Sequence, residues 1–307
     1  MNMMQTFLGV DIGGTNIKMG FVTSKGELLN KTKISTLELR KSGDFAGELF
    51  RLIGEQLALQ PDVKKVGIGV PGLISKDSKC LLELHNIPEL SHYPLVENLT
   101  KKFPQHTFRM ENDANAAALG EYHFGKDKVK SDFIFITMGT GIGSAAIIDG
   151  KIFKGGDGNG LELGHIMYKN GKTLEDKIGK KGILNIISKG LKKSGSKSTW
   201  LNGKSEASTK EVLAAAREGD KLAIKIYAKV GNILGIGLIA AVRIMDIKRI
   251  IIGGGVSEIF DFIQPSIEKE FSDHLTPYYN ESMNINLATL GNEAGIIGAA
   301  SLCMDKS

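Results

Sequence analysis

Phe7-Leu8-Gly9-Val10-Asp11-Ile12-Gly13-Gly14-Thr15-Asn16-Ile17-Lys18-Met19-Gly20 decides how the rest of the chain is read. An apolar strand runs into a tight glycine turn and leaves as a second strand, Ile17 to Val22, with an acid at the bend. Adjacent glycines let backbone N–H groups approach a ligand with no Cβ in the way, and Thr15 adds a hydroxyl donor. That chemistry suits a polyphosphate. Asp11 repels bare phosphate, so its place beside the loop implies a divalent cation or a water between the two. The same residues also fit a plain β-hairpin whose Gly-Gly makes the turn, and the segment by itself leaves both readings open.

The chain repeats the plan. Residues 133–149, Phe133-Ile134-Phe135-Ile136-Thr137-Met138-Gly139-Thr140-Gly141-Ile142-Gly143-Ser144-Ala145-Ala146-Ile147-Ile148-Asp149, give an apolar strand, a Gly/Thr turn and a small-residue strand. Two such units in separate halves suggest duplicated domains facing one another across a cleft, each donating a phosphate loop. Their 307 residues favour two domains over one. The expected division is residues 1–120 as a small N-terminal α/β domain, with the C-terminal helix 293–307 packing back on it, and 121–292 as a larger one.

With 42% hydrophobic and 24% charged residues, and a net charge of +5, the composition is that of an ordinary globular protein. The lysines between Lys172 and Lys197 read as a solvated surface or a mobile segment, and no recognition module accompanies them to suggest nucleic acid. Cys80 and Cys303 are far apart and form no CxxC pair, which disfavours both a cysteine-rich zinc site and structural disulfides. The first strand begins almost at the N-terminus, leaving no signal peptide, and the apolar run Val230–Val242 is short for a bilayer and reads as a buried helix. A cytoplasmic protein without a membrane partner is the expectation.

Between the two turns, Lys65–Val70 is a buried strand that stops at Pro71-Gly72, placing backbone where ligands of α/β sheets bind. Residues 74–93, with His85-Asn86-Ile87-Pro88, read as irregular. The strand His106–Met110 leads into Glu111-Asn112-Asp113-Ala114-Asn115, where Asn112 or Asp113 is a natural cap and the alanines after it make a thin helix. An acid and two amides at a strand-to-helix junction also supply the fixed donors and acceptors a polyhydroxy ligand needs. Farther on, glycine-rich 155–160 leads to Glu162 and His165, three apart and on one side of a helical turn, as either a surface ion pair or a site. A basic amphipathic helix is expected over Lys177–Lys193, a loop over Ser194–Lys204, and a capped helix over Thr209–Glu218. After the long helix Lys221–Ile244 and the strand Arg249–Ile252, Gly253-Gly254-Gly255 offers bare backbone for a nucleotide base and ribose.

Together these segments resemble the ROK family of sugar kinases within the actin-like ATPase superfamily, over nearly the whole chain. The resemblance implies an α/β fold of two actin-like (ribonuclease H-like) domains with mixed sheets. It implies Asp-x-Gly-Gly-Thr, here Asp11 to Thr15, as the first phosphate loop, and Gly-Thr-Gly-x-Gly, here Gly139 to Gly143, as the second. Glu-Asn-Asp-Ala-Asn, here Glu111 to Asn115, carries the catalytic aspartate, matching Asp113. Glu-x-Gly-His, here Glu162 to His165, supplies sugar contacts, and Gly253 to Val256 lies near adenine.

On that resemblance ATP and Mg²⁺ would be held by Asp11, Gly13, Gly14, Thr15, Asn16 and Lys18, by Thr137, Gly139, Thr140 and Gly141, and by Gly254 and Gly255. Asp11 would reach the metal through water. Sugar would be oriented by Asn112, Asp113, Glu162, His165 and Glu175, with Gly72 and Asn86 as further candidates. Many members follow the histidine with a cysteine-rich zinc segment. Here it is Met167 to Glu175 without cysteine, so no structural zinc is expected. The expected activity is phosphorylation of a hexose, glucose first, with N-acetylhexosamines and fructose as rivals, inorganic polyphosphate as a rival donor and a non-catalytic sugar sensor as the other class. A homodimer is implied by the family alone.

Overall fold

The computed structural model describes residues 5–126, 130–194, 200, 201, 204 and 206–304. Most of the loop expected over Ser194–Lys204 lies outside them. The chain divides into two compact units, one of residues 1–132, 145–161 and 289–307 and the other of 133–144 and 162–288.

The first unit opens with β1 (Thr6–Ile12), β2 (Asn16–Thr23) and β3 (Leu28–Ser35), then α1 (Thr36–Lys41), α2 (Phe45–Leu59) and β4 (Lys65–Val70). A short pair, β5 (Leu73–Ile74) and β6 (Leu81–Glu83), precedes α3 (Leu95–Lys102), β7 (Thr107–Asn112) and α4 (Asp113–Phe124). Its sheet runs β3-β2-β1-β4-β7. The first three strands form an antiparallel meander, and β4 and β7 continue the sheet parallel to β1. Register sets the chemistry: Asp11 lies opposite Lys18 and Gly69, and Val70 opposite Asn112. The carboxyl ends of β1, β4 and β7 therefore share one edge, which carries the first glycine turn, Pro71-Gly72 and the start of α4.

Alternation in β1 explains why this sheet is covered on both sides. Leu8, Val10 and Ile12 join a core with Leu49, Ile53 and Leu57 of α2, whereas Phe7 packs with Ile296, Ile297 and Ala300 near the C-terminus. Fully burying a side chain such as Leu49 or Ile53 is worth about 1.5–3 kcal/mol. Asp44 caps α2 by accepting from Gly47 N at 2.9 Å. The sequence reading passed over α1, whose six residues are too few to show a helical period; Ser35 caps it, accepting from Leu37 N.

The second unit begins with β8 (Phe133–Met138). From there β9 (Ile142–Ile148) passes back into the first unit at Ala145 and pairs antiparallel with β10 (Lys151–Ile152). Next come β11 (Met167–Lys169), β12 (Lys172–Thr173), α5 (Leu174–Ile178), α6 (Lys180–Ser194), α7 (Thr209–Arg217), α8 (Lys221–Met245) and β13 (Arg249–Gly254). The chain ends with α9 (Phe260–His274), α10 (Pro277–Asn280), β14 (Asn284–Leu287) and α11 (Ala294–Ser301), the last in the first unit. In this sheet β13 runs parallel to both β8 and β14.

Three local expectations change. The basic helix expected over Lys177–Lys193 is two helices, α5 and α6, parted at Gly179, whose extended backbone (ψ 173°) cannot continue a helix although its amide still reaches Glu175 O. Residues 74–93 hold the β5–β6 pair and a 3₁₀ turn at Pro88–Leu90. The glycines after Ile252 continue β13 through Gly254, and a 3₁₀ turn, Gly255–Ile259, intervenes before α9. Helix α8 is long and apolar enough to cross a membrane by length and composition. Its Ile226, Val230, Leu234, Leu238 and Val242 are buried within the unit, as a core helix requires.

Candidate active site

In the first unit, the glycine turn is fixed from outside. Gly13 N donates to Asn16 O at 3.0 Å, while the fully buried Thr36 donates its hydroxyl to Gly13 O at 2.6 Å and its amide to Thr15 O at 3.0 Å. The amides of Gly14 and Thr15 donate to no group among the described residues, so the turn presents two adjacent N–H groups. Asn86 crowds Gly14: a Cβ there would meet Asn86 Cβ at 2.8 Å. Arg40 holds that asparagine by donating to its carbonyl at 2.7 Å and is itself anchored on Glu89 at 2.6 Å. Thr36 and Arg40 belong to α1 and were missed with it. The Lys18 ammonium sits 3.2 Å from Asp11 Oδ2, as the β1–β2 register dictates.

At the next strand end, the capping role falls on Asn112. Its Oδ1 accepts from Ala114 N at 2.9 Å and Asn115 N at 3.3 Å, and its Nδ2 donates to Gly72 O at 3.2 Å. Gly72 needs its positive φ of 89° for that approach. Asp113 is therefore the first residue inside α4, where the helix dipole favours a carboxylate, and its Oδ1 accepts from Ala114 N at 2.8 Å. The buried Ala114, Ala116, Ala117 and Ala118 keep the helix as thin as expected. Asn159, amid the glycines at 155–160, both donates to Ile74 O at 2.9 Å and accepts from Ile74 N at 3.0 Å, imitating a strand neighbour. An asparagine inside a glycine run was the available signal for that tie.

The second unit holds its own turn between β8 and β9. Gly139 N donates to Gly141 O at 2.9 Å, and the amides of Thr140 and Gly141 find no acceptor among the described residues. Glu175, from α5, accepts from Ile142 N at 2.8 Å, so one of its oxygens is committed to this turn. Gly254, at φ 81°, leaves room that a Cβ would fill against Met138 O at 2.5 Å and Thr137 Oγ1 at 2.9 Å, while a Cβ at Gly255 would make only ordinary contact with Met138 O at 3.8 Å. Thr137, Gly139, Thr140, Gly141, Gly254 and Gly255 thus occur together.

Glu162 occupies the N-cap and His165 the end of a 3₁₀ turn, Leu163–His165, that Ser144 ties down by accepting from Leu163 N at 2.9 Å. The carboxylate and imidazole stand 3.9 Å apart, half-exposed and exposed. Burial pushes the Glu162 carboxyl above the ordinary range; His165 opposes that shift and the Glu175 carboxylate adds to it. Because its pKa is raised in the fold, the fold binds this proton more tightly than the unfolded chain does, and stability is lost as pH rises from the unfolded value into the raised one. Glu162→Gln is therefore expected to raise the thermal midpoint at neutral pH, with the gain vanishing at or below about pH 4, near the ordinary carboxylate value. Calorimetry across pH checks this; an equal gain at every pH would contradict it.

A hydrated Mg²⁺ fits the first turn. Asp11 offers a single carboxylate, with Oδ1 unbonded among the described residues, and Mg²⁺ is commonly held by one or two carboxylates plus phosphate oxygens and waters. No group of three or more His, Cys, Asp or Glu capable of holding a metal occurs among the described residues.

The ROK family profile matches residues 7–306. A glucokinase of Thermotoga maritima is 31% identical over 97% of this chain and 97% of its own length. Among solved structures, a protein of Cytophaga hutchinsonii is 42% identical with a TM-score of 0.92, covering 98% of this chain and all of its own. A ROK family glucokinase of Streptomyces griseus, solved with glucose and AMPPNP, is 28% identical with a TM-score of 0.80, over 97% of this chain and 98% of its own.

Proposed function

The chain belongs to the ROK family, whose fold is a pair of actin-like ATPase domains, and from that premise we propose that it is an ATP-dependent hexose kinase acting on glucose. The observation that carries this reading is the junction of β7 and α4. There Asn112 takes the cap, leaving the Asp113 carboxylate to act as a base at a helix N-terminus on the sheet edge that also bears the first glycine turn.

In this reading Asp113 accepts the proton of the attacking sugar hydroxyl as it bonds to the γ-phosphorus of ATP, and ADP leaves. The amides of Gly14 and Thr15, and of Thr140 and Gly141, donate to phosphate oxygens and share the developing charge. Thr15, Asn16 and Lys18 extend the first set and Thr137 the second. Asp11 would hold Mg²⁺ through water, and the ion would supply charge neutralisation to the phosphates. Gly254 and Gly255 let adenosine lie on bare backbone. Asn112, Glu162 and His165 orient the sugar, with Gly72 and Asn86 as further candidates, and Glu175 serves both the second turn and the sugar. A homodimer is part of this reading on the family resemblance alone.

A coupled assay of ADP release with glucose, fructose, N-acetylglucosamine and N-acetylmannosamine tests the reading. Glucose is expected to give the highest kcat/KM, and ATP to outperform inorganic polyphosphate as donor. ATP turnover unaffected by every sugar would refute it.

A further inference from the structure

Behind the proposed base lies an ion pair between a buried carboxylate and a partly exposed lysine that the reaction as described does not use. Glu111, the residue before Asn112, is 2% exposed. Its Oε1 accepts from Asn112 N at 3.0 Å and from Asn115 Nδ2 at 3.1 Å, so one oxygen grips the β7–α4 junction on both sides of Asp113. Its Oε2 accepts from Lys154 Nζ at 2.6 Å. Lys154 follows β10, far away in sequence, and its ammonium also donates to Ser78 Oγ at 3.0 Å. All of these residues lie in the first unit.

We propose that Lys154 and Glu111 are positioning residues for the proposed phosphoryl transfer, holding Asn112 and Asp113 through the Glu111 carboxylate; this rests on Asp113 being the base. Burying a charged carboxylate this deeply is costly unless a cation and hydrogen-bond donors replace its lost hydration. Lys154 is that cation, and with it in place the pair adds little net charge near Asp113. The pair borders a cavity of about 380 Å³ whose other charged groups are Asp77, Lys79, Arg109 and Lys151. Arg109 donates to Leu302 O at 2.8 Å, and Asp77 accepts from Ser75 Oγ at 2.6 Å.

Removing Lys154 leaves a buried negative charge unpaired beside the junction. That charge loses the donor that fixes Glu111 Oε2, which loosens its grip on Asn112, and it disfavours a second anion at Asp113. Lys154→Met is therefore expected to lower kcat by roughly 10-fold to 100-fold, the scale of a small misplacement of a reacting group. It should also move the acid limb of the kcat profile to higher pH while KM for ATP stays within about threefold. Glu111→Gln placed in the Lys154→Met background should return the acid limb toward the parent position, and Lys154→Arg should restore most of kcat.

Parent-like kcat and pH profile in folded Lys154→Met would overturn the proposal, and so would a loss of thermal stability with kcat and pH profile unchanged. Should Lys154→Met not fold, Ser78→Ala decides: it must shift the acid limb in the same direction by a smaller amount, and no shift overturns the proposal. An inactive Asp113→Asn beside a parent-like Lys154→Met would sink this inference alone, whereas an active Asp113→Asn would sink the reading beneath it.

Discussion

Asp113→Asn is expected to lower kcat by about 10²–10⁴-fold, the usual contribution of a positioned general base. The start of α4 should keep its geometry. An asparagine Oδ1 can still accept from Ala114 N, as Asp113 Oδ1 does at 2.8 Å, and the cap itself belongs to Asn112. The thermal midpoint and the binding of glucose and nucleotide should therefore stay close to the parent. Steady-state kinetics with ATP, Mg²⁺ and glucose saturating, together with calorimetric binding of each ligand, separate the two effects. A variant that turns over like the parent removes Asp113 from the chemistry, and one that has lost glucose binding together with turnover assigns it to binding.

The second large effect is on the fold. Helix α11 packs in the first unit with backbone against backbone, and Gly298 is where it touches α4. A Cβ at Gly298 would run into Ala116 O and come within 2.8 Å of Ala117 N, and the reverse substitution at Gly120 would meet Gly298 Cα at 2.9 Å. No side chain can swing aside there, because the obstacles are main-chain atoms. Gly298→Ala should thus cost about 3 kcal/mol, at the upper end of overpacking penalties. At a urea slope of about 2–3 kcal/mol/M, that displaces the midpoint by roughly 1 M. Gly156→Ala, whose Cβ position has nothing within 4 Å, is the control and should shift stability by less than about 0.5 kcal/mol. Equal midpoints for the two variants would mean that α11 is not docked as described. Since α11 supports β1 and α4 together, activity should fall with stability in Gly298→Ala.

Much of the fold was legible because it obeys short-range rules. The apolar runs of β1 and β4, the helical period of α2 and the Ser208–Glu211 capping box are local signals, and each appears in the structure where the residues place it. The break at Gly179 was hidden because lysines and isoleucines on either side keep a helical period across it. Helix α1 was hidden by its brevity, and with it went Thr36 and Arg40, whose roles depend on what lies at Gly13 and Asn86.

The sequence by itself determined the two glycine turns, the thin alanine helix and the family to which they belong, because turn chemistry and periodicity are written in adjacent residues. Tertiary structure decided which groups those elements carry to one place. The register of β1, β4 and β7 sets Asp11, Gly72 and Asp113 on one sheet edge, and only the return of the chain after β10 brings Lys154 to Glu111. Such pairings join residues tens of positions apart, and no periodicity records them; they follow from hydrogen-bond register and from the need of a buried charge for a partner.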